Sequence, residues 1–313
     1  MKFLVILICL TVNYLWLRDF DRFDDGWFFR FRCKLEAFTS DLEDRFFSVW
    51  LLSTAAIYLL PILILMLLLL LAEGAVYGLF TMLIHILVLL IAFDRTQPGK
   101  LAKEFVSKWK EGDMEACVLY LQQELPSGEV LDVEDEYSLS EYFNKQLSYR
   151  FFEKMFVMFF WYLISGPIGV LACYITYQMR DSHEEQQSGQ QLDLIKNILM
   201  VLEWLPLRLL ALTFSLAGNF VRCFENLQKT FWASGRDVEN AELLYRYARG
   251  ALSGLINRQD DEEEIEQIND QSLSESRAAA VAEIAALQGL LERSQAIWLS
   301  LLALITIFGL SPM

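Results

Sequence analysis

Apolar residues in this chain gather into long blocks, and polar ones fill the stretches between them. Residues 49–72 are nearly continuous in leucine, isoleucine and aromatics, long enough to cross a bilayer with some tilt. Pro61 lies inside this block, as a kink that a membrane helix tolerates. Glu73-Gly74 makes a tight break and residues 75–93 return, which predicts a helical hairpin. Residues 156–179 form a third block, interrupted by Ser165-Gly166-Pro167-Ile168-Gly169, and residues 297–310 a fourth. Two segments are weaker. Residues 3–17 are short and carry Asn13; Arg18-Asp19 follows where a cleaved leader would need small residues, so an uncleaved first span is expected. Residues 207–221 are also short, and Pro206 is expected to separate them from the amphipathic stretch 192–205. The pattern predicts an all-α, polytopic helical membrane protein with four strong and two weaker membrane segments.

Basic residues orient these segments. With six crossings, residues 18–45, 94–154 and 222–293 share one face and carry 6, 8 and 8 Lys or Arg, 22 together. The opposite face receives only Lys2, Arg180 and Lys196. The 22-residue face is therefore expected to be cytoplasmic, with both termini periplasmic. If 207–221 did not cross, the division would fall to 14 against 11 and the bias would nearly vanish. The organisation that follows is a span, surface segment and hairpin over 1–93, a cytoplasmic helical loop over 94–154, central membrane segments over 155–221, a second cytoplasmic helical segment over 222–293, and a final span over 294–313.

Composition agrees. The chain has 313 residues, 55% of them hydrophobic, with mean hydropathy +0.32. Its net charge of −15 argues against nucleic acid as a partner, because phosphate contacts need clustered Lys and Arg. The lipid bilayer is the partner that the apolar blocks imply. Cys9, Cys33, Cys117, Cys173 and Cys223 are widely spaced without a Cys-x-x-Cys pair, so they read as reduced or buried small hydrophobes.

The polar segments have characters of their own. Residues 18–45 interleave Phe20, Phe23, Trp27, Phe28 and Phe31 with charges, as a helix lying at the membrane surface does. Residues 99–125 predict a solvated helix in two pieces around Gly112-Asp113, with Phe105, Trp109, Val118 and Leu121 as its apolar positions. An acidic run from Glu129 to Glu136 lacks the central Gly and closing Glu of a calcium loop and reads as a solvated loop. Ser138 with Glu141 fits a capping box for the next helix. Residues 257–276 form an acidic linker, and the Ala- and Leu-rich 277–292 predict a helix running into the last span.

Few residues carry obvious chemistry. No Gly-x-x-x-x-Gly-Lys-Ser/Thr run occurs, and Gly250 and Gly254 are wrongly spaced for a nucleophile elbow. Neither a metal nor an organic cofactor is implied. His85 lies mid-span, where a neighbouring helix is expected to satisfy it, and His183 sits in a polar turn. The more informative group is Glu203, Trp204 and Arg208, at membrane level around the helix-kinking Pro206. A lone charge at that depth costs several kcal/mol, roughly 2.5–3.5 on insertion scales, so a partner or an aqueous cavity is expected. The alternative is an interfacial anchor made by Trp204 and Arg208.

These residues resemble a known family. Phe160-Trp161-Tyr162-Leu163-Ile164-Ser165-Gly166-Pro167-Ile168-Gly169, then Leu199-Met200-Val201-Leu202-Glu203-Trp204-Leu205-Pro206-Leu207-Arg208-Leu209, then Phe231-Trp232-Ala233-Ser234, are similar to the AmpE family of inner-membrane proteins. Leu35-Glu36-Ala37-Phe38 and the order of elements agree as well. The resemblance implies a non-enzymatic regulatory modulator linked to muropeptide recycling and beta-lactamase induction, with a cytoplasmic muropeptide amidase or a muropeptide-like ligand as partner. On that reading Glu203, Trp204 and Arg208 bind the ligand or partner, and Gly166, Pro167 and Gly169 form the hinge.

A more distant likeness is to the CobD/CbiB family of cobalamin-pathway enzymes. Trp204-Leu205-Pro206-x-Arg208, Gly166-Pro167-Ile168-Gly169 and Lys110-Glu111-Gly112-Asp113-Met114-Glu115-Ala116 echo it. It would imply a membrane-bound ligase or transferase. However, the family's His-Pro-Val, Arg-Asp-Thr and Ser-Asp-Gly patterns have no counterpart at Asp24-Asp25-Gly26-Trp27, Leu125-Pro126-Ser127 or Tyr149-Arg150-Phe151-Phe152-Glu153-Lys154. The missing carboxylates imply a shared scaffold without the same reaction.

Overall fold

The computed structural model describes residues 2–15, 26–40, 49–72, 78–92, 98–124, 135–181, 189–231, 239–253 and 270–308, and every element in them is helical. In chain order these are α1 (Lys2–Leu15), α2 (Gly26–Ser40), α3 (Val49–Ala72), α4 (Leu79–Ala92), α5 (Pro98–Glu111), α6 (Met114–Glu124) and α7 (Glu136–Phe151). A π-helical turn (Phe152–Val157) follows, then α8 (Met158–Ser165), α9 (Pro167–Asp181), α10 (Gly189–Ala217), α11 (Phe220–Thr230), α12 (Asn240–Leu252) and α13 (Asp270–Ile307).

Among the described residues, three helices are long and apolar enough to cross a membrane, over Leu51–Ala72, Gln190–Ala217 and Ser276–Ile307. Two shorter apolar helices cover Lys2–Val12 and Leu79–Ala92. Of the six expected segments, three thus fall on helices of full length, two on shorter apolar helices and 156–179 on short pieces, and two of the long helices differ from expectation in extent. Pro206 does not divide α10, which runs through it as one helix of 29 residues. Proline removes one donor and crowds one carbonyl, and a membrane helix survives this where a neighbour supplies the missing bond. Conversely, the block 156–179 is not one helix. It breaks at Gly166 into pieces of 8 and 15 residues. The last apolar block is the end of the 38-residue α13, which begins at Asp270 inside the expected linker. Residues 254–269, most of that linker, and 125–134, most of the acidic run, lie outside the described residues, as do His183 and residues 232–234.

The helices form two compact units, one of residues 1–95 and 154–203, the other of 96–153 and 204–313. In the first, α3 and α4 pack on α9, α1 on α4 and α8, and α2 on α3. Leu59, Leu63, Leu67 and Leu71, at steps of four along α3, are all exposed. Such a stripe is costly in water and neutral in lipid. The interior is studded with small polar links: the Tyr58 hydroxyl donates to Thr176 Oγ1 at 3.0 Å and Gln191 Nε2 to Thr54 Oγ1 at 2.9 Å. Trp27 of α2 stacks on Tyr174 with ring centroids 6.2 Å apart.

In the second unit α7 packs against α12, α5, α6 and α13, and α11 against α12. Phe105 stacks on Phe143 at 3.8 Å and on Trp109 at 5.5 Å. The helix over 99–125 is in two pieces as expected, and Asp113 caps the second by accepting from the Ala116 amide at 2.9 Å. The capping box at Ser138 is not what starts α7. Asp135 is the N-cap, and its Oδ1 accepts from the Ser138 amide at 3.0 Å. Arg277 binds Glu136 through both Nε and Nη2, tying α13 to the start of α7.

Candidate functional site

Pro206 explains why α10 and Trp161 belong together. In an α-helix the amide of residue 206 would bond the carbonyl of residue 202, and proline has no amide hydrogen to give. The Trp161 indole Nε1 donates to the Leu202 carbonyl at 3.1 Å. An orphaned carbonyl would cost about 1–3 kcal/mol in such surroundings, so the indole offsets most of the damage. The end of α8 repeats the pattern: Gly166 turns the chain there, and Lys2 Nζ donates to the terminal Leu163 carbonyl at 2.9 Å. A cation at the C-terminal end of α8 also meets the negative end of the helix dipole.

Gly166, Pro167 and Gly169, expected from the sequence to form a hinge, sit at this same break. Gly166 caps α8 with φ +67°, a conformation that side chains with a Cβ rarely adopt. Pro167 then opens α9 at the position where a missing amide costs least. A Cβ on Gly169 would lie 2.8 Å from Ser165 Cβ and 2.9 Å from the Trp161 carbonyl oxygen, so only glycine lets the two helices approach.

The charged residues of α10 face separate partners. Glu203, only 1% exposed, belongs to the first unit, where its Oε1 accepts from the Tyr177 hydroxyl at 2.7 Å. The Tyr177 ring is in turn covered by the Arg180 guanidinium, 5.1 Å from its centroid. Trp204 and Arg208 belong to the second unit. Arg208 is buried, donating from Nε to the Phe231 carbonyl at 3.2 Å and from Nη1 to the Trp204 carbonyl at 3.1 Å. Its guanidinium also lies 4.8 Å from the Trp204 ring centroid. Phe231 is the C-cap of α11, so one side chain satisfies a helix end and joins α11 to α10. As arranged, these groups brace helices, with each buried charge held by hydrogen-bonding partners. His85 is held in the same way, with Nδ1 3.0 Å from the Tyr162 hydroxyl. All five cysteines are free, and among the described residues no three His, Cys, Asp or Glu side chains gather as a metal site would require.

Sequence reasoning missed a cavity of about 720 Å³ between α11 and α12, inside the second unit. Arg222, Lys229, Arg246 and Arg249 line it with a single carboxylate, Glu225. Its walls include Asn226, Thr230, Tyr247 and Gly250. Thr230 Oγ1 and the Tyr247 hydroxyl are 2.6 Å apart across it. The four cations are scattered over 28 residues of sequence in a chain that is acidic as a whole. Only the pairing of the two helices gathers them. The lining lacks the convergent carboxylates that a corrinoid-type ligation requires.

Fold and site together define a helical membrane protein in which the buried Glu203 and Arg208 are hydrogen-bonded and whose second unit carries a cavity lined by Arg and Lys. The family model "Regulatory signalling modulator protein AmpE" matches residues 5–309, and the chain belongs to that family. No curated protein and no solved structure matches it.

Proposed function

We propose that this chain is an inner-membrane modulator in the signalling that couples muropeptide recycling to beta-lactamase induction. The observation that carries the reading is family membership over nearly the whole chain, together with α10, which places Glu203, Trp204 and Arg208 within six residues of a membrane-length helix. Ionisable groups at that depth are costly and mark function by default. Glu203, Trp204 and Arg208 are the residues proposed to respond to a muropeptide-like ligand or to a cytoplasmic muropeptide amidase. Gly166, Pro167 and Gly169 are the proposed hinge. The long polar segments face the cytoplasm and both termini the periplasm, as the distribution of Lys and Arg supports.

Deleting the gene tests this reading. Beta-lactam-induced expression and muropeptide pools should both change, and wild-type protein should restore them. Trp204→Ala or Arg208→Gln protein that reaches the membrane in normal amount should restore neither. Unchanged induction and pools in the deletion strain would sink the proposal.

A further inference from the structure

The cavity between α11 and α12 lies beside a helix that is built for a membrane surface. α10 ends at Ala217, and α11 begins at Phe220. Three residues of chain reach at most about 11 Å, so the start of α11 cannot leave the headgroup layer next to the end of α10. Phe220, Val221 and Phe224 are all exposed, and the two phenylalanine rings stack with centroids 5.2 Å apart. On the side of the same helix that packs on α12, Cys223 and Leu227 are buried. Its third side carries Arg222, Glu225 and Lys229 into the cavity, where α12 adds Arg246 and Arg249. Arg246 Nε also donates to the Glu242 carboxylate at 2.9 Å, which compensates its charge, so the cationic wall of the cavity is that of Arg222 and Lys229 on α11.

We propose that this cavity binds the phosphate headgroup of an anionic phospholipid from the leaflet that Phe220, Val221 and Phe224 enter. The exposed aromatics and the cations then have one explanation. The rings occupy the acyl boundary, and the guanidinium and ammonium groups meet phosphate one headgroup-depth higher. Charge complementarity favours the anionic lipid over a zwitterionic one, since on α11 Arg222 and Lys229 face the single carboxylate of Glu225. A Cβ on Gly250 would lie 2.9 Å from Asn226 Nδ2, so α11 and α12 approach closely enough to fix the cationic side chains around one volume. This inference goes beyond the modulator reading and does not depend on it.

The test uses the full chain reconstituted in phosphatidylcholine vesicles containing a trace of spin-labelled phosphatidylglycerol or spin-labelled phosphatidylcholine. The immobilised fraction of label is read by electron spin resonance. Phosphatidylglycerol should be held in preference to phosphatidylcholine, and raised salt should weaken that preference. Arg222→Gln/Lys229→Gln should lower it by about fivefold for each cation removed. The exposed pair Lys100→Gln/Lys103→Gln on α5 should leave it unchanged. Salt dependence of the wild-type protein stands as a readout should the cavity variant fail to fold. Equal retention of the two lipids would overturn the proposal. So would loss of the preference on adding millimolar inorganic phosphate, which would make the cavity a site for soluble anions.

Discussion

Pro206 strands the Leu202 carbonyl and the end of α8 strands that of Leu163, and in both cases a side chain from another helix arrives as donor. The pairing of Trp161 with Pro206 has a measurable form. Trp161→Phe should destabilise the wild-type protein by about 1–3 kcal/mol, because it leaves the Leu202 carbonyl without a donor. In a Pro206→Ala background the restored amide can bond that carbonyl, and the same substitution should cost clearly less. A double-mutant cycle on reversible unfolding in detergent measures the difference, and strict additivity would show that the two residues do not share the oxygen. Trp161 and Pro206 both stood out in the sequence, but their connection did not. Helical geometry identifies the carbonyl that a proline strands. It does not identify the donor, which comes from 41 residues away. The partners of Glu203 and Arg208 were hidden for the same reason, although the need for partners was plain from the cost of burying a charge.

Helices were legible in proportion to how uninterrupted their apolar pattern is. The hairpin of α3 and α4 follows from composition alone, with α3 falling on residues 49–72. Proline misled in one place and glycine did not. Pro206 stays inside a helix, whereas Gly166 ends one because its positive φ turns the chain. The start of α7 shows a finer ambiguity. Ser138 and Asp135 are both competent caps, and the structure uses Asp135. The hydrogen bond from Ser138 holds the Asp135 carboxyl below its ordinary range. A depressed folded pKa means that this cap stabilises α7 above the unfolded value of about 3.9, and the contribution fades as the pH falls through the folded value. Asp135→Ala should destabilise the first turn of α7 by about 1 kcal/mol at neutral pH, and Asp135→Asn should retain most of the cap without the acid dependence. Hydrogen exchange at the start of α7 would record both. Equal exchange in all three proteins would remove Asp135 from the account.

For the molecule as a whole, orientation is the most exposed expectation, and its cysteines offer a direct reading. Cys33 on α2 is exposed, while Cys9, Cys117, Cys173 and Cys223 are buried. Burial pushes the Cys117 thiol up to about 11 and Cys223 to about 12, so neither has appreciable thiolate at neutral pH. A membrane-impermeant maleimide should therefore modify Cys33 alone. It should do so in inverted vesicles and not in spheroplasts, if the face with 22 basic residues is cytoplasmic. Labelling in spheroplasts would reverse the orientation. The membrane class was legible from the apolar blocks, and the family from the motifs around Gly166 and Trp204. The cationic cavity was not legible, since Arg222 and Arg249 become neighbours only when α11 and α12 pair.

The bond between Lys2 and the Leu163 carbonyl spans 161 residues of sequence. A ribosome adding about 5–20 residues per second needs roughly 8–32 seconds to make that length. During that interval the ammonium group of Lys2 lacks this acceptor. Its contact with α4 can form much earlier. Helix α1 is thus set to wait beside α4 for a partner still being translated, and the closing of α8 over Lys2 is a late event in the biogenesis of this protein.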